Sequence, residues 1–433
     1  MKRNSFEEPQ PYWNERGRIL MNAFVPAEIL LPNVEDMSKW AVIACDQFTS
    51  DQAYWDRVRK TAEGVPSTIN LILPEAELGT AQEAEHTRLI NRTMAEYLEK
   101  NIFTAYPDSL VYIERTLENG SVRPGLIGAV DLDAYDYSTG STSAIRATER
   151  TVVERIPPRQ CVRRDAPIEL PHILMLCDDH DKVLIEPIGA KKDSLRKLYD
   201  FDLMEDGGHI TGWLVEGEAV REFEARLAEY SASVGKKYAD LQGVPMVFAV
   251  GDGNHSLATA KSCYEELKAK HPGEDLSAHP ARFALVELEN IHDPAQVFEP
   301  IHRIIAKTDP EALLKALEEN ACAEGGFPVK WFIGEASGTV YLDQAKSQLA
   351  VGVLQGFLDA YLKEHPGEID YIHDDDALIA LAKQPESIGF LLPAMEKSQL
   401  FRGVIADGIL PRKTFSMGHA REKRYYLEAR KIR

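Results

Sequence analysis

Cysteine is scarce: there are five in 433 residues (Cys45, Cys161, Cys177, Cys263 and Cys322), widely scattered and without a CxxC pair. That excludes a disulfide framework and a cysteine-rich zinc site, and it points to a reducing compartment. Long apolar runs are missing as well. VPMVFAV from Val244 and IGFLLPAM from Ile388 are far shorter than the roughly 20 residues that cross a bilayer, and proline interrupts both. The opening MKRNSFEEPQPYWNERGR turns polar and acidic, with no run of the kind an export signal needs. A cytoplasmic protein that crosses no membrane is expected. Positive charge is in deficit, with 49 Lys and Arg against 69 Asp and Glu for a net −20. Such a surface repels a phosphate backbone, so a general nucleic-acid binder is excluded unless a basic face is set apart. No internal repeat or low-complexity tract is present.

The remainder is an ordinary globular composition, 44% apolar and 27% charged, long enough for two or three packing units. Two segments run against the acidic average. Arg146, Arg150, Arg155, Arg159, Arg163 and Arg164 face only two glutamates in between, and Pro157-Pro158 argues against one continuous helix, so an arginine-bearing loop is expected. From Pro411 to Arg433 there are eight basic and two acidic residues. Pairing with the surplus carboxylates, at the surface or across a domain seam, is the plain reading of both segments; an anion site is the sharper one.

Strand and helix signals alternate, which predicts a mixed α/β (α+β) fold. WAVIACDQF from Trp40 reads as a strand entering a turn, followed by a helix capped by Ser50 or Asp51. STINLILP from Ser67 reads as a strand, and HILMLCDDHDKVLIEPI from His172 as a hairpin turning at DDHDK. The clearest unit is VPMVFAV, the loop GDGN, the helix HSLATAKSCYEELKAKH and the strand RFALVELEN. Two domains are expected: residues 1–305 carrying the GDGNHS loop, and a smaller α/β unit over 306–433 ending in the basic tail.

A strand that ends in Gly251-Asp252-Gly253-Asn254 and enters a helix at His255 and Ser256 leaves unpaired N–H groups at a positive helix end, a setting suited to phosphate. It has neither the third glycine of the dinucleotide fingerprint nor the GK[ST] ending of a P-loop. GDGNHSLATA with RFALVELEN, DPAQVFEPIHRII, GLIGAVDLDAY, ATERT, YIHDDDALIALA and PRKTFSMG resembles the bacterial and archaeal domain-of-unknown-function 1015 family, whose usual loop is ADGHHR. That loop is similar in turn to the box shared by ParB-like partition proteins, sulfiredoxins and free-serine kinases, where a loop entering a helix holds nucleotide phosphates. Carried over, Gly253, Asn254 and His255 match the cradle, and Ser256 stands where the arginine usually follows. Lys261 or an arginine of the 146–164 segment would replace it, or the ligand differs.

The resemblance also makes Asp46 the counterpart of the aspartate in the family's P-Y-D segment, which could take a hydroxyl proton or hold a metal, the alternative being a helix-cap or turn aspartate. In ATERT the family histidine is replaced by Thr148, leaving Arg150 as a phosphate clamp. His302 and Arg303 in PIHR, and Lys413 and Thr414 in the tail, are further ligand-binding candidates; each also has a structural reading as a partner of local carbonyls and carboxylates. Cys45 reads as a small buried residue rather than a nucleophile, and Asp374–Asp376 as a helix start rather than a metal cluster.

The implied function is phosphoryl transfer on a nucleotide or small phosphorylated metabolite, in the manner of a serine or phosphoserine kinase. Its cofactors would be ATP or ADP with Mg²⁺, and Asp46, Asp252 and His255 its catalytic groups, the two aspartates as metal ligands. The alternative is a non-catalytic nucleotide or anion sensor. A ParB-like DNA role stands third, against the charge of −20 and the lack of a helix-turn-helix pair. A homo-oligomer stays open.

Overall fold

Strands rich in β-branched and aromatic residues, their side chains alternating between two faces, build a large mixed sheet. The computed structural model describes residues 23–78, 83–241, 245–322 and 325–433; the polar opening stretch and Val244 lie outside them. Eleven strands form the sheet. Its path runs Arg196–Asp202, His209–Val215, Phe103–Thr116, Val122–Asp131, Phe283–Asn290, Leu174–Cys177, Phe248–Asp252, Ile145–Ala147 and Tyr135–Asp136. Phe24–Val25 and Ala27–Pro32 pair with strands of its middle. Ile145–Ala147 is parallel to both neighbours, and Phe283–Asn290 is parallel to Leu174–Cys177; the other pairs are antiparallel.

The alternation sorts the core into two. Leu110 and Tyr112 enter one cluster and Val111 and Ile113 the other, and Phe283–Asn290 repeats the pattern with Val286 and Leu288 against Leu285. The first face is covered by helices Glu218–Lys237 and Asn254–Lys270 through Phe223, Leu227, Leu257 and Tyr264. The second is covered by Gln52–Thr61 and Glu83–Glu99 through Trp55, Val58, Ile90 and Met94. Each such side chain, fully buried, contributes about 1.5–3 kcal/mol of transfer free energy.

A second, antiparallel sheet is ordered Ala336–Leu342, Phe327–Ile333, Ile388–Leu391, His302–Ala306 and Glu368–Ile372. Its helix Ala350–Tyr361 joins the first core cluster through Leu354 and Leu358. The tail, grouped above with residues 306–433, pairs with the earlier part of the chain. Phe415–Met417 pairs with Phe298–Pro300, Tyr425–Tyr426 with Val42–Ile43, and Arg430–Lys431 with Ile168–Glu169.

Three local expectations need correction. The strand read from Ser67 is a 3-10 turn, Thr68–Leu71, because the Ser67 and Thr68 hydroxyls bond the Trp40 carbonyl and offer the backbone an alternative to a ladder. The hairpin read from His172 has only its first strand, since Asp179 Oδ2 accepts from Leu184 N–H and turns the chain toward the short helix Glu186–Gly189. The arginine segment is partly helical: Pro157 and Pro158 sit in the first turn of Ile156–Arg163, where no N–H is required. Asp51 and Asp374 cap their helices as read. Among the described residues no helix is long and apolar enough to cross a membrane.

Candidate functional site

The strand Phe248–Asp252 loses register against Leu174–Cys177 between Val250 and Asp252, so its end leaves the sheet. A Cβ at Gly251 would lie 2.8 Å from Leu176 Cδ1 and 2.9 Å from Met417 Sδ, closer than a side chain tolerates; glycine lets strand and tail close on each other. Gly253, at φ +79°, is the N-cap of helix Asn254–Lys270 in the left-handed conformation that glycine adopts freely. No side chain caps this helix, and its first bond runs from Leu257 N–H to the Gly253 carbonyl. The N–H groups of Asn254, His255 and Ser256 therefore lack helical partners, and the Asn254 side-chain oxygen is buried without one.

Charge gathers around this end. His255 Nε2 accepts from Val152 N–H at 3.1 Å, which requires an unprotonated nitrogen. Burial, then Arg159 and Arg155, hold its pKa below the usual histidine value. Arg159 is fixed by Glu75 Oε1 at 3.1 Å and by donating to the Arg155 carbonyl at 3.0 Å. Asp252 accepts from Gly253 N–H at 2.8 Å through one oxygen and meets Lys423 Nζ at 3.1 Å through the other. Burial alone would raise its pKa, but Lys423 and His172 together hold it below the ordinary carboxylate range. Lys423 is aimed by the sheet: Arg115 Nη2 donates to the Arg421 carbonyl at 2.9 Å and Arg123 Nη2 to the Glu422 carbonyl at 3.1 Å.

On the other side of the loop, buried His172 lies between Tyr426 and the helix start. Its Nδ1 is 2.7 Å from the Tyr426 hydroxyl, and its Nε2 is 3.4 Å from Ser256 Oγ and 3.9 Å from Asp46 Oδ2. Tyr426 donates to Cys45 Sγ at 3.0 Å, so its oxygen is free to accept from Nδ1–H, leaving the Nε2 lone pair toward Ser256 and Asp46. The Cys45 thiol is pushed up to about 12 by desolvation and by Asp46, so it stays protonated, although the residue is half-buried rather than buried. Near the tail, Glu149 accepts from the Lys413 and Thr414 backbones, and burial raises its pKa against the pull of Lys413. Lys413 is exposed with φ +55°, and His373 is held below its usual value by burial, Lys413 and Lys423.

Of the residues anticipated from sequence, Gly251, Asp252, Gly253, Asn254, His255, Ser256 and Asp46 converge here, and Lys413 and Thr414 approach through Glu149. Arg150 is exposed. Others are engaged elsewhere. Lys261, seven residues into the helix, pairs with Glu265 at 2.7 Å, and while the Thr414 backbone reaches Glu149 its buried hydroxyl donates to the Pro411 carbonyl. Buried His302 accepts from Leu392 N–H and meets Asp375 at 2.8 Å. Buried Arg303 donates to Gln355, the Ile301 carbonyl and the Arg412 carbonyl, so its fork organises the second sheet and the tail. Four site residues were not singled out: Arg159, His172, Lys423 and Tyr426. Two lay in the flagged basic segments; the histidine and tyrosine carried no local signal.

Solved structures similar to the chain include SbnI with a C-terminal truncation from Staphylococcus aureus, at 10% identity and TM-score 0.35 over 67% of this chain and 83% of that one. A free serine kinase variant in complex with AMP follows at 13% and 0.34, over 70% and 91%. A conserved hypothetical protein from Pyrococcus furiosus stands at 15% and 0.29, over 46% and 85%. No curated protein matches the sequence. The family model described as "Protein of unknown function (DUF1015)" matches residues 25–431, a span that takes in Asp46, His172, the glycine loop and the returning tail. On that match, the chain belongs to the DUF1015 family.

Proposed function

We propose that this protein binds the phosphate of a nucleotide or small phosphorylated metabolite at Gly251–Ser256 and moves or releases that phosphoryl group. The observation that carries this reading is the uncapped helix start: three N–H groups without helical partners, with Arg155 and Arg159 acting on the neighbouring His255 and Lys423 on the neighbouring Asp252. Such an end attracts anions through its N–H groups and the helix dipole, the dipole contributing about 0.3–1 kcal/mol. Phosphoryl transfer asks a protein chiefly for positioning and charge stabilisation, which these groups can supply. Arg159 and Lys423 would offset the growing negative charge. His172 Nε2, beside Asp46 and Ser256, is the group that would take a proton from an attacking hydroxyl.

Magnesium fits this site poorly. Asp252 already faces Lys423 and the Gly253 N–H, and among the described residues no three His, Cys, Asp or Glu groups converge on a metal position. Mg²⁺ usually enters on one or two carboxylates plus substrate phosphates, and with Asp252 facing Lys423 only Asp46 is left to hold it. That same neutralised Asp252 favours the second reading, a sensor that binds the anion without turning it over.

The test is phosphorus NMR with phosphoserine, chosen for the loop's resemblance to the free-serine kinase box, with and without ADP and Mg²⁺. Phosphoryl appearing on ADP supports a kinase running in reverse, and free phosphate without ADP a phosphatase; either signal should vanish in His255→Ala. Phosphate binding without turnover supports the sensor, and failure to bind phosphate or nucleotide at all overturns both readings.

A further inference from the structure

Beside the loop lies a cavity of about 160 Å³ whose aliphatic part the phosphate reading does not use. Its lining is divided. Ser256, Cys45, Glu75 and Arg159 are partly exposed and bring the polar groups, with His172 beside them. Leu71, Met94, Ala166, Ile168, Leu170 and Ile173 are buried and bring aliphatic walls. The two charged wall residues are already paired, Arg163 with Glu169 at 2.6 Å and Glu169 with Arg430 at 2.9 Å. Tyr426 is turned edge-on to His172 and bonded to Cys45. The charged wall groups thus face one another, and the other wall residues named are aliphatic.

Unfilled apolar walls of this kind forgo the dispersion contacts that a ligand would supply. An apolar cavity of about 150 Å³ stays dry and takes up benzene in another protein, so the present volume suits about six carbons. Arg159 links the two halves, reaching the cavity wall while acting on His255 at the helix start.

We propose that the cavity receives a hydrocarbon arm of about six carbons, carried by the phosphorylated ligand whose anion sits at Gly251–Ser256. The substrate class is then an alkyl or aryl phosphate monoester; this rests on the phosphate reading above. The phosphate meets the N–H groups and Arg159, and the arm runs past Ser256 between Ile173 and Leu71.

The experiment is calorimetric titration of the full chain with inorganic phosphate, AMP, and a homologous series from methyl to octyl phosphate. Affinity should rise about fourfold per methylene, the equivalent of about 0.8 kcal/mol, up to about six carbons, and then level off. Ala166→Leu and, at a half-buried position, Val162→Phe should flatten the series to the affinity of methyl phosphate. The wild-type series decides by itself should either variant not fold. A flat wild-type series with phosphate still bound overturns the cavity assignment and leaves the phosphate reading standing. AMP binding far more tightly than hexyl phosphate, with that advantage lost in Ala166→Leu, overturns it in favour of a base in the cavity. If no anion binds at all, both readings fall together.

Discussion

Adjacent tail residues show two uses of positive charge. Arg424 points into the sheet, where it meets Glu287 at 3.1 Å and Glu428, each of the three about 5% exposed or less. Lys423 points the other way, to Asp252, with both side chains partly open to solvent. The first set is paired internally: Arg424 holds Glu287 and Glu428, and Tyr199 bonds Glu428, with Glu287 Oε1 buried and without a hydrogen bond. The second set is open: Arg159 and Lys423, both partly exposed, act on the residues of a helix start whose first N–H groups nothing in the helix uses. Charge that is sealed fixes the chain path, while charge left with a free side can meet a ligand.

Breaking the paired set should have the largest effect. Arg424→Met leaves Glu287 and Glu428 buried without their cation and should cost about 3–5 kcal/mol in denaturant unfolding, as removal of one partner of a buried ion pair does. Loss of under about 1 kcal/mol, the range of exposed pairs, would mean the cluster is not sealed.

Lys423→Met should cost less stability, about 1–2 kcal/mol, but weaken phosphate binding about tenfold, the worth of one charge-assisted hydrogen bond. Because the folded pKa of Asp252 is depressed, the pair stabilises the protein above the ordinary value of 3.8, and that contribution disappears as pH falls through the lower folded value. The variant should therefore show a flatter acid limb in a plot of stability against pH. An unchanged phosphate affinity would remove Lys423 from the site.

His255 sharpens the comparison through its proton. Its imidazole should titrate below 6.5 by NMR, with its share of stability present above that pH and lost as pH falls through the depressed value. Bound phosphate should move the titration upward by less than about one unit, since an anion favours the charged ring. No movement on saturation would place the anion elsewhere.

At acid pH the smallest effect is expected at Glu289, whose pKa burial raises to about 8, opposed by Arg123 and reinforced by Glu287. A raised carboxyl gives stability that is full below its unfolded value of 4.5 and lost as pH rises through about 8. Glu289→Gln should remove that decline while changing stability at acid pH by less than about 1 kcal/mol. A decline that persists in the variant would assign the proton to another group.

What the sequence made legible was local. The GDGN turn, the helix after it and the Asp51 and Asp374 caps each depend on neighbours a few residues away. The 3-10 turn at Thr68 was not legible, because its hydroxyl acceptor is the Trp40 carbonyl, 28 residues off. The diproline misled for a different reason: proline excludes a helix interior yet favours a first turn, and the pattern alone does not give the position within the helix. In the site, His172 and Ser256 are 84 residues apart and His172 and Tyr426 are 254 apart, so no spacing rule could join them. Arg303 misled because a buried guanidinium that holds three backbone and amide oxygens has the same letter as one waiting for phosphate.

The docking of the tail also places a reporter in the molecule. Trp40 is fully buried, and its indole N–H donates to the Leu427 carbonyl at 2.9 Å across 387 residues. One residue away, Tyr426 lines the cavity and bonds His172. In a refolding experiment, the arrival of segment 425–430 would register as a change in the emission of this indole, so site assembly and global collapse could be timed separately. On a translating ribosome the same geometry delays competence: a nascent chain can finish its two large sheets, yet it has no complete pocket until Tyr426 emerges and docks.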